Sequence, residues 1–394
     1  MTTPSPRPDH RPLRVLRVIT TLEPEVGGPS YSAVNGAVAE QAAGISTTIV
    51  STTSASGPRY TPPSLAKAGV VHRSFRRPRI LKGLGKRWGI SVRFALWILR
   101  HAGRYDVIHV HYVWSLGTVV GIFAAAAWRR PVVMTPHESL TSFGIEHSRS
   151  GQRRLQKLLV RRFLLAGVDR VVTASALEQR DSGLNNRQSR VIQHPVPDHA
   201  APPAETLRCA SGGRRIGFLG RLHQKKRIGD LIDAFTGLDG DATLVIGGNQ
   251  PLEEFARLRD RVAAGGLGGR VCLLGFIAPD DRGAFFASVD VLVMPSTYEC
   301  FGMVAAEALS AGVPAIVTEQ TGIAEVVRDH AAGVVVPVGA PDAIRAAIER
   351  ILADPDALTI MRDNARRAAR IRLSFGAYAD AIRTVYDEVT QRLP

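Results

Sequence analysis

Short apolar runs rich in β-branched residues alternate with longer stretches of helical character along almost the whole chain. In the first half the runs fall at 14–20, 45–52, 106–111, 131–135 and 168–174, and a helix is expected over 30–43. Strands separated by helices make parallel sheets, because a parallel connection needs a crossover. The pattern stops at 195–213, PVPDHAAPPAETLRCASGG, whose Pro, Ala and Gly content reads as a linker. It then restarts, with strands at 215–219, 243–247, 271–275, 289–295, 315–318 and 334–337 and helices beginning at 228 and spanning 302–310 and 341–353. The fold class predicted is α/β, with two doubly wound parallel-sheet domains at 13–194 and 214–375. A polar, Pro-rich segment at 1–12 reads as a disordered tail, and 376–394 reads as a last helix.

Several motifs sit where such sheets bind ligands, at the carboxyl ends of strands. Glu299-Cys300-Phe301-Gly302-Met303-Val304 follows a strand and runs into a helix that carries Glu307. Free N–H groups at a helix start attract anions, and the two carboxylates have the chemistry to hold hydroxyls. A capping Glu299 with an exposed Glu307 is the competing reading. Gly220-Arg221 and Lys226 follow another strand, as a diphosphate clamp or as a solvated basic turn. Gly27 and Gly28 follow the first strand, where glycine lets a backbone approach a ligand. His109 and His111 share one face of a strand, open to a catalytic, metal-binding or structural reading. No third ligand at a set spacing follows them.

Taken in order, these residues resemble the retaining glycosyltransferases of family 4, which have the GT-B fold. The resemblance runs from Leu13 to about Tyr386 and includes DVIHVHYVWS at 106–115, Glu299 and Glu307 with seven residues between, TGIAEVV at 321–327, GVVVP at 333–337 and Ser374-Phe375 before the last helix. It implies two Rossmann-like domains facing a cleft, the first for the acceptor and the second for the donor, with the C-terminal helix crossing back to the first domain. It also implies that a sugar passes from a nucleotide-diphosphate donor to a hydroxyl acceptor with retention, in polysaccharide or glycolipid synthesis. Arg221 and Lys226 would bind the diphosphate, Glu307 the ribose, and Glu299 the transferred sugar beside the backbone of Phe301, Gly302, Met303 and Val304. Gly27 and Gly28 would approach the phosphates, and His111 would be the active-site histidine. No metal and no cofactor beyond the co-substrate is expected. Two positions depart from the family: Arg227 stands where Gly is usual, and Gln193-His194-Pro195 where Pro-Asn-Gly is common. The alternatives are transfer to a soluble small molecule, a nucleotide-sugar epimerase on the same fold and, from another class, a basic nucleic-acid-binding protein. The last is not expected, because no nucleic-acid motif accompanies the basic residues.

Charge adds a possible partner. Of 394 residues with a net charge of +15, residues 1–200 hold 28 Lys and Arg against 11 Asp and Glu, and no acid lies between Glu40 and Asp106. An anionic membrane surface under 73–104 and under an amphipathic helix at 152–166 fits this excess, as does simple solubility. On that helix Leu155, Leu158, Leu159 and Phe163 share the apolar face. No apolar run reaches the length of a membrane span, and no signal peptide is evident. Cys209, Cys272 and Cys300 have neither paired nor metal-ligand spacing, which reads as a reducing compartment. The expected place is the cytoplasm, either free or at the inner face of the cell membrane.

Overall fold

The computed structural model describes residues 11–23, 27–56, 59–78, 89–146, 161–199, 213–238, 241–248 and 252–391. They divide into two compact units. The first takes the described residues of Met1–Thr173, Leu184–Ile192 and Tyr378–Pro394, and the second those of Ala174–Gly183 and Gln193–Ala377.

The first unit is built on a seven-stranded sheet. Its strands are β1 (Arg14–Val18), β2 (Ser46–Thr53), β3 (Val71–Arg76), β4 (Val107–His111), β5 (Val132–Thr135), β6 (Arg170–Thr173) and β7 (Ser189–Val191), in the order β3-β2-β1-β4-β5-β6-β7. Every pairing is parallel. Helices cover the sheet, so β1, β4 and β5 are buried almost throughout and read as continuous apolar runs. The register sets Arg17 beside His109, in the interior of this unit.

The second unit repeats the plan with six strands: β8 (Arg215–Leu219), β9 (Thr243–Gly247), β10 (Val271–Gly275), β11 (Val291–Met294), β12 (Ala315–Thr318) and β13 (Gly333–Val336). Their order is β10-β9-β8-β11-β12-β13, all parallel. The two doubly wound sheets are thus those the alternation predicts. The last helix, Phe375–Thr390, begins with Ser374 accepting from Ala377 N–H at 3.2 Å, and from Tyr378 onward it belongs to the first unit.

Some expectations change. Between β2 and β4, where the sequence pattern predicts no element, the structure has β3 and the helices Pro63–Lys67 and Val92–His101. Strand β3 (VHRSFR) is a half-exposed edge strand, so its arginines face water and hide the strand signal. The short β7 was also not expected. Of the amphipathic helix predicted at 152–166, residues 161–166 are helical and the remainder lies outside the described residues. Phe163, assigned to the apolar face, is 78% exposed, whereas Leu164 is buried. Most of the linker and the N-terminal tail also lie outside the described residues. Cys300 is half-buried and forms no disulfide. Among the described residues no helix is long and apolar enough to cross a membrane.

Candidate active site

An open parallel sheet binds ligands where neighbouring strands send their connections to opposite faces. In the second sheet that point lies between β8 and β11. Both segments singled out in the sequence leave the sheet here: Gly220 through Lys226 after β8, and Pro295 through Met303 after β11. Thr297 N–H donates to the Lys225 carbonyl at 2.8 Å and ties one segment to the other. Lys226 Nζ then stands 2.8 Å from Glu299 Oε1, both side chains being largely buried. Burial by itself pushes the Glu299 carboxyl up. The charges of Lys226 and Lys225 outweigh that and hold it below its usual range. Arg221 is exposed at the strand end and makes no ion pair among the described residues.

Arg227 explains one departure from the family pattern. Its backbone is left-handed, with φ 47° and ψ 40°, a conformation that favours glycine. The guanidinium hydrogen-bonds both carboxylate oxygens of Asp230, at 2.6 and 3.1 Å, and the next helix still starts at Ile228. The other departure is also used. Gln193 donates to Glu325 at 3.0 Å, and the His194 ring packs edge-on against Phe301 at 5.3 Å.

Gly302 turns the chain into the helix Met303–Ser310. Its φ is 107°, and a Cβ there would lie 2.8 Å from Met294 Cε and 2.9 Å from Thr321 Cγ2. Only glycine fits without a shift. The helix has no side-chain cap and no acid in its first turn, so its leading N–H groups keep the polarity that binds an anion. The Phe301 side chain is buried in the core, leaving backbone as what this residue offers a ligand. Glu307 is not the exposed residue of the competing reading. It is 2% exposed, and Arg282 Nη1 contacts both its oxygens, at 2.7 and 2.8 Å. Arg282 carries no signal in the sequence, since it lies 25 residues away on another helix.

In the first unit the corresponding point lies between β1 and β4. Gly27, with φ 84°, caps the helix Gly28–Ala42, which likewise lacks an acid in its first turn. The rings of His109 and His111 stack 4.6 Å apart on one face of β4, as their spacing predicts. Both are buried. His109 contacts the Tyr386 hydroxyl at 2.6 Å and Thr135 Oγ1 at 2.8 Å. His111 contacts Arg17 Nη1 at 3.1 Å through Nε2 and His137 Nε2 at 3.0 Å through Nδ1. Both ring nitrogens of His111 are therefore engaged by protein. Around them Arg17, Glu40, Tyr378 and Tyr386 form a buried polar cluster. Burial raises the Tyr378 hydroxyl to about 12 against the pull of Arg17, and burial together with Glu40 lifts Tyr386 well above its usual value.

Sequence reading missed His137 and Glu138. They follow β5, and both have left-handed backbones, φ 49° and 72°, as does Tyr112 after β4, φ 66°. Three such non-glycine residues at adjacent strand ends are uncommon and mark places where surrounding structure holds strain. Nothing in the letters signals this. Among the described residues no group of three or more His, Cys, Asp and Glu is arranged to hold a metal ion.

Two family models match this chain: a glycosyl transferase 4-like domain over residues 27–197 and glycosyl transferases group 1 over residues 206–369. An uncharacterized glycosyltransferase of Methanocaldococcus jannaschii is 33% identical over 44% of this chain and 44% of its own length. The D-inositol 3-phosphate glycosyltransferase of Salinispora tropica is 29% identical over 69% of this chain and 62% of its own. The match thus spans less than two thirds of either relative. The crystal structure of Anabaena HepE in complex with UDP superposes with a TM-score of 0.76 at 20% identity, covering 95% of this chain and 100% of that one, which establishes a shared fold. With the two models covering both units in order, the chain belongs to the glycosyl transferase 4-like and group 1 families, and it shares the GT-B fold.

Proposed function

We propose that this enzyme is a retaining glycosyltransferase whose second unit binds a nucleoside-diphosphate sugar and whose first unit binds a hydroxyl acceptor. One observation carries the donor assignment. Lys226 and Glu299 pair at the switch point of the second sheet, where Arg221 leaves β8 and the uncapped helix starts at Met303. Two cations and a helix N-terminus suit a diphosphate. Glu299 is ionised and suits a sugar hydroxyl, and Glu307, one turn into the helix, suits the ribose. That the fold relative HepE has been solved with UDP and with UDP-glucose agrees with this reading.

The chemistry follows from the charges. As the bond from the sugar C1 to the phosphate oxygen breaks, negative charge grows on the diphosphate. Arg221, Lys226 and the helix dipole stabilise that charge. The acceptor hydroxyl attacks C1 from the same face, and its proton passes to the departing phosphate oxygen. Configuration is then retained without a protein nucleophile. Gly27 and Gly28, at the start of the first unit's uncapped helix, are assigned to close backbone approach to the phosphates. His111, with both nitrogens engaged, acts through His137 in this account, and His137 with Glu138 contacts the acceptor.

For the acceptor, a lipid-linked hydroxyl at an anionic membrane surface is favoured by exposed apolar side chains on the first unit. Val92, Leu96, Phe123, Trp128 and Phe163 are exposed, interleaved with exposed Arg93, Arg100, Arg129 and Arg162. That composition suits the headgroup region and supports a role in polysaccharide or glycolipid synthesis. The test of the transfer itself is incubation with a panel of nucleotide sugars and hydroxyl acceptors, followed by NMR of the product's anomeric proton. A product with the donor's anomeric configuration supports the proposal, and an inverted one removes retention.

A further inference from the structure

The polar cluster inside the first unit has a defined hydrogen-bond direction, set from one carboxylate. Arg17 and Glu40 are both almost fully buried. Room for the guanidinium comes from the helix Gly28–Ala42: a Cβ at Gly36 would lie 3.0 Å from both terminal nitrogens of Arg17 and from the Tyr378 hydroxyl. Glu40, one turn on, accepts from Arg17 Nε at 2.8 Å and Nη2 at 2.7 Å, and from the Tyr386 hydroxyl at 2.5 Å. Thr47 also donates to it, at 3.0 Å. Tyr378 accepts from Arg17 Nη2 at 2.6 Å.

Donor and acceptor types then fix the three histidines. Arginine only donates, so His111 Nε2, 3.1 Å from Arg17 Nη1, is the acceptor. The His111 proton sits on Nδ1 and points at His137 Nε2, 3.0 Å away. His137 therefore accepts at Nε2 and carries its own proton on Nδ1. The second branch runs through Tyr386. Its hydrogen goes to Glu40, so its oxygen accepts from His109 Nδ1–H at 2.6 Å, and His109 Nε2 accepts from Thr135 Oγ1 at 2.8 Å.

We propose that Arg17, oriented by Glu40 and Tyr378, is a positioning residue that fixes the tautomer of His111 and through it makes His137 a hydrogen-bond donor at the ligand edge of the first sheet. Two of its anchors, Tyr378 and Tyr386, come from the C-terminal helix. That helix thereby sets the polarity of a site built from residues more than 200 positions earlier. The assignment of His137 to the acceptor rests on the proposed function, whereas the tautomers do not.

The experiment is long-range proton–nitrogen NMR of the full-length protein labelled with 15N-histidine, with resonances assigned from His109→Gln, His111→Gln and His137→Gln. The proposal expects His109, His111 and His137 to be neutral at pH 7 with the proton on Nδ1. Tyr386→Phe should change the His109 signals and leave those of His111 in place. The double variant Arg17→Met/Glu40→Leu removes both charges together, so neither is left buried alone, and should release His111 from its single tautomer. Tyr378→Phe loosens Arg17 by one hydroxyl and should disturb His111 in the same direction, which covers a double variant that does not fold. A wild-type His111 protonated at Nε2, or one unaffected when Arg17 is removed from a folded protein, overturns the proposal. An intact tautomer pattern in an enzyme that transfers no sugar would refute only the function it rests on.

Discussion

Lys226 Nζ lies 2.8 Å from the carboxylate of Glu299, so the cation assigned to the leaving diphosphate and the carboxylate assigned to the transferred sugar neutralise each other before any ligand arrives. The pairing keeps Glu299 ionised in a largely buried place and holds both groups at the switch point. A diphosphate beside Lys226 then competes for a charge already in position.

Replacing Lys226 or Arg221 by Ala is expected to lower turnover at least tenfold, which corresponds to about 1.4 kcal/mol of transition-state stabilisation. The Lys226→Ala protein also has a pH signature. Because the folded-state pKa of Glu299 is depressed, the pair contributes stability above the ordinary carboxylate range and loses it as pH falls through the lowered value. Melting temperatures of wild type and variant should differ at neutral pH and converge in acid. A constant gap would contradict the pairing.

Arg227 gives a prediction whose sign is informative. Arg227→Gly relieves a left-handed backbone and gives up a partly exposed pair with Asp230, for a net gain of up to about 1 kcal/mol. Arg227→Ala keeps the strain and loses the pair, costing about 0.5 kcal/mol. Denaturant titration of both variants measures this. Equal effects would mean that the backbone conformation is not the reason.

Glu307→Ala is expected to destabilise the second unit by about 3 kcal/mol, because it leaves the largely buried Arg282 without its carboxylate. Glu307→Gln keeps a hydrogen-bond acceptor for Arg282 and should fold well while binding nucleotide more weakly. Calorimetry on the Gln variant isolates the ribose role, and unchanged affinity would dismiss it.

Vesicle co-sedimentation at low and high salt tests the membrane reading. About 1 kcal/mol per engaged Lys or Arg makes a few side chains enough for weak, salt-sensitive binding. Anionic vesicles should bring down more protein than neutral ones, and Phe123→Ser with Phe163→Ser should reduce it. Equal sedimentation with both lipid types would end that account.

The site proposed for the donor was visible in the sequence because its residues cluster there. Arg221 and Lys226 share one turn, Glu299 and Gly302 another, and strand alternation puts both turns at neighbouring strand ends. The first unit was less legible for a physical reason: its polar interior is assembled by distance. Arg17 meets Glu40 across 23 positions and Tyr378 across 361, and neither spacing is a pattern. A lone Arg in an apolar strand reads as a half-exposed edge, and its burial depends on Gly36 and on a helix from the far end of the chain. His111 was visible from its place at the end of an apolar strand, but its neighbour His137 owes its place to a backbone conformation that the sequence does not display. The strand β3 was hidden by its own charges.

Nucleotide binding by the second unit is measured directly by isothermal titration calorimetry with UDP, GDP and ADP and their monophosphates. At least one diphosphate should bind, at least tenfold tighter than its monophosphate, with that advantage lost in Arg221→Ala and Lys226→Ala. Binding of none of them, or equal affinity for di- and monophosphate in wild type and variants alike, would contradict a diphosphate site at the β8–β11 switch point.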